Sequence, residues 1–169
     1  KSSEGGDSHS EIVTLTVTGT NDAPVVTGAA QTGPVTEGSS PAPTATGTVK
    51  FTDVDLIDTH TASVAPAASN TTSLGTLALA AIADATGGAT GSQGWTYTLD
   101  NTKADYLAAG QTVTENYTIT VKDNNGAIAT QNVAVTVTGS NDAPVITSAA
   151  QAGPVTEGSS PAPTATGTV

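Results

Sequence analysis

The chain has 169 residues, with fifteen carboxylates against four lysines, no arginine and a formal net charge of −11. That balance argues against nucleic acid as a partner, because phosphate contacts need clustered Lys and Arg, and the absence of cysteine excludes disulfides and thiolate metal sites. No stretch approaches the ~20 apolar residues of a membrane span, no signal peptide opens the chain, and a chain that never needs oxidation suits secretion by a route without a disulfide-forming step.

In chain order the first feature is VTLTVTGT (13–20), which returns loosely as VAVTVTGS (133–140). GTNDAPV (19–25) follows and returns as GSNDAPV (139–145). Residues 21–49 and 141–169 match everywhere except at 26/146, 28/148 and 32/152, with a constant offset of 120. The period is domain-sized rather than that of a solenoid, since independent domains usually span about 100–150 residues. The expected organisation is the last strand of a preceding repeat (1–20), one complete repeat (21–140) and the opening strands of a following repeat (141–169). Lone strands do not order themselves in water, so the two stubs are expected to pair with the rest of a longer chain or head-to-tail with another copy.

Within the complete repeat, Thr, Gly, Val, Ala, Asn and Pro dominate, which favours pleated strands and turns over helix. A first strand is expected near 24–30. The second is clearer: Ala45, Gly47, Val49 and Phe51 alternate with Thr44, Thr46, Thr48 and Lys50. Further strands are expected near 61–66 and 74–82, then over Trp95, Tyr97 and Leu99. Val113, Tyr117, Ile119 and Val121 continue the alternation, and Val133, Val135 and Val137 close it. Between the last two strands, DNNG (123–126) predicts a hairpin in which Asn125-Gly126 supply positive φ angles. About seven short strands with turn signals between them predict an all-β fold, an antiparallel β-sandwich.

Strand direction places the acids. The chain enters the repeat at Ala23, the proximal end, and leaves at Gly139, the distal end. Alternating directions then bring Asn21, Asp22, Asp53, Asp55, Asp58 and Asp123 together proximally. Glu37, Asp100, Asp105, Asn141 and Asp142 gather distally. Two unit charges ~4 Å apart repel by about 4 kcal/mol at an effective dielectric near 20, and several such pairs rival the ~5–15 kcal/mol stability of a domain. Such groups either splay into water or bind a cation. Oxygen donors without Cys or His suit a hard ion, and flexible six- to eight-fold coordination suits Ca²⁺ better than Mg²⁺.

The segments GWTYTLDN, LAAGQTVTENYTITVKDNNGAIA and VTVTGSNDAPV resemble the VCBS repeat of very large bacterial surface proteins, including RTX-type adhesins. The acids resemble, more distantly, those of cadherin repeats. That resemblance implies an Ig-like or cadherin-like sandwich holding Ca²⁺ between repeats. Glu37, Asp100, Asn141 and Asp142 match the group that one repeat contributes, and Asn21, Asp22, Asp53, Asp55 and Asp123 match the receiving group. LDNT lacks the Glu of the LDRE-like turn, and the linker is a residue shorter than NDNAP. The implied role is a Ca²⁺-stiffened extender of a secreted cell-surface adhesin or filament, acting in adhesion or biofilm formation, with neighbouring repeats as its partners.

Plainer readings stand beside these. Acidic clusters serve as solvated domain ends, Asp58 reads instead as a turn former, and Asp105 reads as a surface turn residue. Alternation with Thr makes Trp95 and Tyr97 core residues before a sugar-stacking platform. His9 and His60 stand apart from any nucleophile, so catalysis is not expected. The competing functional classes are a calcium-dependent polysaccharide-binding module and an accessory domain of a secreted enzyme.

Overall fold

The computed structural model describes residues 5, 10–38, 42–158 and 164–168 of the chain. Among these residues eight strands form in order: β1 (Val25–Val26), β2 (Gln31–Thr36), β3 (Thr44–Thr52), β4 (His60–Pro66), β5 (Gly75–Leu79), β6 (Gly91–Leu99), β7 (Thr112–Asp123) and β8 (Ile128–Thr138). One helical turn, α1 (Asn101–Ala104), follows β6, and a 3-10 turn spans Thr86–Gly88. One sheet has the order β1-β3-β6-β5 and the other β2-β8-β7-β4. The two stack as an Ig-like β-sandwich.

The alternation read from the sequence is the alternation of burial. Val49, Phe51, Trp95, Tyr97, Leu99, Tyr117, Ile119, Val121, Val133, Val135 and Val137 all point between the sheets and are at most 6% exposed. Trp95 and Tyr97 are therefore core. With aromatics this few, small residues let the large rings in. A Cβ on Gly47 would lie 2.5 Å from the Trp95 ring, and one on Gly91 would lie 2.4 Å from Phe51.

Two details differ from expectation. The first strand is split: Val25–Val26 pairs antiparallel with β3, and after the bend at Gly28 the chain crosses to the other sheet. There β2 runs parallel to β8, with Gly33 opposite Val135. The sandwich is thus antiparallel except at this one pair. Pro34 is tolerated because β2 is an edge strand, where a missing N–H leaves no ladder bond broken.

The hairpin turn also differs. Gly126 has φ +105°, but no described non-glycine residue has positive φ, so Asn125 does not supply a second such angle. The loop is instead organised by Asp123, whose Oδ1 accepts from the backbone N–H groups of Asn125, Gly126 and Ala127.

The flanking segments form no strand among their described residues, and 10–20 and 141–158 are exposed throughout. Ile12, Val13, Leu15 and Val17 all present their side chains to solvent. In the following segment a Cβ on Gly153 would sit 2.6 Å from that of Ala165, as one on Gly33 would sit 2.7 Å from that of Ala45. The copied sequence thus repeats a copied approach. His9 and Ser39–Pro41 of the 36–43 turn lie outside the described residues.

Candidate metal centre

Strand ends build the proximal site. β3 runs out at Thr52 into Asp53, the loop 54–59 returns to β4 at His60, and His60 pairs with Asp123 at the end of β7. Asp53, Asp58 and Asp123 are buried, and each offers a carboxylate oxygen, these oxygens lying within 4.8 Å of one another. No other group of three or more His, Cys, Asp or Glu side chains meets that distance among the described residues.

The linker is tied into the same network. The Asn21 amide donates to Asp123 Oδ2 at 3.0 Å, and the backbone N–H of Asp22 donates to Asp55 Oδ2 at 2.7 Å. Asp55 in turn donates its own N–H to Asp53 Oδ1. Asn125 closes the ring, its Nδ2 reaching Asn21 Oδ1 at 2.6 Å and both oxygens of Asp58 at 2.9 and 3.1 Å. All six proximal residues named from the sequence therefore meet. Asp58 sits within the buried trio, while Asp55 acts at its rim.

Behind the trio lies His60, 4% exposed, with Nε2 3.0 Å from Asp53 Oδ2 and Nδ1 2.6 Å from Asp84 Oδ1. Burial alone would lower its pKa, but hydrogen bonds to Asp53 and Asp84 outweigh that and raise it. Asp123 is held below the usual carboxylate range by the Asn21 amide first, then by the turn N–H groups. Asn125, His60 and Asp84 were not assigned to this site from the sequence. Asn125 is half of a turn dipeptide, and Asp84 stands alone in AIADAT, so neither carries a signal short of the fold.

The distal residues are less gathered. Glu37 is 2% exposed. Its Oε1 accepts from the backbone N–H of Ser140, while its Oε2 is buried without a hydrogen-bond partner among the described residues. Asp100 is exposed, accepts from the Thr102 hydroxyl at 2.8 Å and faces Lys103 at 3.6 Å; the Thr102 hydrogen bond is the main cause of its lowered pKa. Asn141 and Asp142 are exposed and outside any strand, as is Asp105 beside α1.

The donor set is what a hard cation needs. Carboxylate pairs at this spacing repel by about 3–4 kcal/mol at an effective dielectric near 20. No lysine salt bridge reaches the trio among the described residues, and a buried carboxylate oxygen without a partner, as at Glu37, carries a desolvation cost of about 1–3 kcal/mol or more. A cation at the proximal trio would relieve the repulsion there.

No protein-family model and no curated protein matches the chain. Among solved structures it is similar to the CooA pilin subunit from enterotoxigenic Escherichia coli, at 9% identity and TM-score 0.45, covering 69% of this chain and 97% of that one. It is also similar to the ASH/PapD-like domain of human CEP192, at 10% identity and TM-score 0.42, covering 78% and 95%. A third similarity, to the secreted serine protease VesC from Vibrio cholerae at 9% identity and TM-score 0.38, spans 62% of this chain and only 21% of the protease. At these values the likenesses carry no functional argument.

Proposed function

We propose that this chain is a structural extender: a β-sandwich repeat whose ends bind Ca²⁺ and thereby stiffen a tandem array on an extracellular surface. The observation that carries this reading is the convergence of three buried carboxylates with the linker that enters the domain. Asp53, Asp58 and Asp123 would hold the ion, with Asn21, Asp22 and Asp55 completing the donors on the linker side. Glu37, with an oxygen that has no partner among the described residues, would serve the other end together with Asp100, Asn141 and Asp142. The bound ion would supply charge neutralisation. Because some donors lie on the body of the domain and others on the linker, neutralisation and linker rigidity become one event.

Two further features support a spacer over a catalyst or a lectin. His60 uses both ring nitrogens on carboxylates, leaving none for proton transfer. Trp95 and Tyr97 are enclosed in the core and offer no stacking platform. Near identity of the segments 21–49 and 141–169 suits uniform stacking. The parent would be a secreted cell-surface adhesin or filament, with the VCBS-like repeat as its stalk.

Calorimetric melting of the 169-residue chain in chelator and in millimolar Ca²⁺ tests this. At 100 times Kd the ion stabilises by about 2.7 kcal/mol, so a rise in Tm of roughly 5–15 °C is expected. Asp58→Asn should abolish most of that rise. An unchanged Tm across the titration would overturn the proposal.

A further inference from the structure

Among its described residues the complete unit exposes six large hydrophobic side chains, and none of these lies in the middle of a strand face. Val25, Val54, Leu56, Ile57 and Ile128 surround the proximal end, and Tyr106 stands at the distal end. Val54, Leu56 and Ile57 are 70, 58 and 88% exposed, three large apolar side chains within four residues, and contiguous apolar surface of this kind is what contact sites are built from. They form one wall of a groove of 380 Å³ whose other wall includes the incoming chain, Gly19–Asn21. Whatever precedes Gly19 is therefore delivered directly to the groove.

The distal end shows what that neighbour presents. The outgoing chain is strapped to the loop after α1: Gly139 donates to Gln111 O and accepts from Gly110 N–H. A Cβ on Gly139 would lie 2.6 Å from Leu107 O, so glycine lets the loop close over it. Tyr106, 60% exposed, immediately precedes Leu107 in that loop. Gly19 and Gly139 occupy equivalent positions at the offset of 120. Only Thr20 separates Gly19 from Asn21, and two steps along the chain span at most about 7 Å.

We propose that the Val54–Ile57 lip is a docking face for the Tyr106–Gln111 loop of the preceding copy of the unit, an apolar contact between repeats made by side chains rather than by a cation. This rests on the tandem reading above. The short linker leaves the neighbour's loop as the occupant of the groove. The contact gives the joint a preferred angle before any ion binds, and it covers the exposed apolar surface that a free unit leaves at each end.

The test uses the present chain extended after Val169 by a second copy of residues 50–140, which completes the unit that 141–169 begins. The natural chain has no cysteine, so one pair is introduced: Tyr106→Cys in the first unit with Ile57→Cys in the second. Ser63→Cys, on an exposed strand position, replaces the latter in a control pair. Disulfide formation under oxidised glutathione is followed in Ca²⁺ and in chelator, with scattering and melting on the same samples. Cross-linking about ten-fold faster than the control, in either condition, supports the docking face. A rate equal to the control, with Ca²⁺ still lengthening and stabilising the particle, overturns it and leaves the extender reading intact; a groove kept for an unrelated partner would read the same way. Equal rates with no response to Ca²⁺ overturn both. As a second measure, Tyr106→Ala should lower the Tm of the two-unit protein but not that of the 169-residue chain, and equal effects in both would count against the contact.

Discussion

At the scale of single residues, buried polar groups are where this small core is least forgiving. Glu115 is fully buried on β7 and accepts four hydrogen bonds, from the Thr72 hydroxyl, the Leu74 N–H and the hydroxyls of Tyr97 and Tyr117. It ties the crossover before β5 to the interior. Glu115→Ala would strand the Leu74 N–H and two phenols at once, and denaturant unfolding should show a loss of about 3 kcal/mol or more. The two tyrosines also report on pH. Burial first, and Glu115 after it, raise both hydroxyls above the ordinary value of 10.0. A folded pKa above the unfolded one means stabilisation that is complete below about pH 10 and is lost as pH rises through the folded value. In a spectrophotometric titration Tyr97 and Tyr117 should therefore ionise only together with loss of the β-sheet signal. Ionisation of all three tyrosines below that transition would contradict the burial described. Alternation made Tyr97 and Tyr117 legible as core residues, but nothing in the spelling of TVTENYT marks Glu115, at the next inward position, as their shared acceptor.

Elements follow the same division. β3, β6, β7 and β8 were readable because each has one face in the core and one in water, so hydrophobicity repeats with the pleat. The split between β1 and β2 was not, because the short run 24–36 changes sheets at an inconspicuous glycine. The hairpin was visible in Asn125-Gly126, but the carboxylate of Asp123 supplies acceptors that organise the loop without a second positive φ. Gly126, at +105°, needs the absence of a side chain. Gly126→Ala should cost about 1–3 kcal/mol and also disturb Asn125 at the ion site, seen as a weaker Ca²⁺ response of the Tm. Gly47→Ala tests the packing of the sheets. Its new methyl meets the Trp95 ring at 2.5 Å, and overpacking of this kind costs about 1–3 kcal/mol. Gly28→Ala, with nothing within 4 Å of the added carbon, should be near neutral by comparison.

Across the whole molecule, order should be concentrated in the sandwich. All eight strands lie between Val25 and Thr138, whereas 10–20 and 141–158 are exposed and outside strands. Hydrogen exchange should find the amides of β3, β6, β7 and β8 slowest and those of 12–17 and 151–156 exchanging within the dead time. Protection of 12–17 that grows with protein concentration would instead reveal pairing between copies. The sequence by itself determined the fold class, the core faces, the internal repeat and the gathering of acids at one end, because each rests on a periodicity or on strand direction, which are properties of order along a line. Which oxygens approach within 4.8 Å, the backing of Asp53 by His60 and Asp84, the burial of Glu37 and the apolar lip beside the linker were decided only by the tertiary structure. Those features depend on loops, whose side chains obey no period and acquire neighbours only when distant strand ends are brought together.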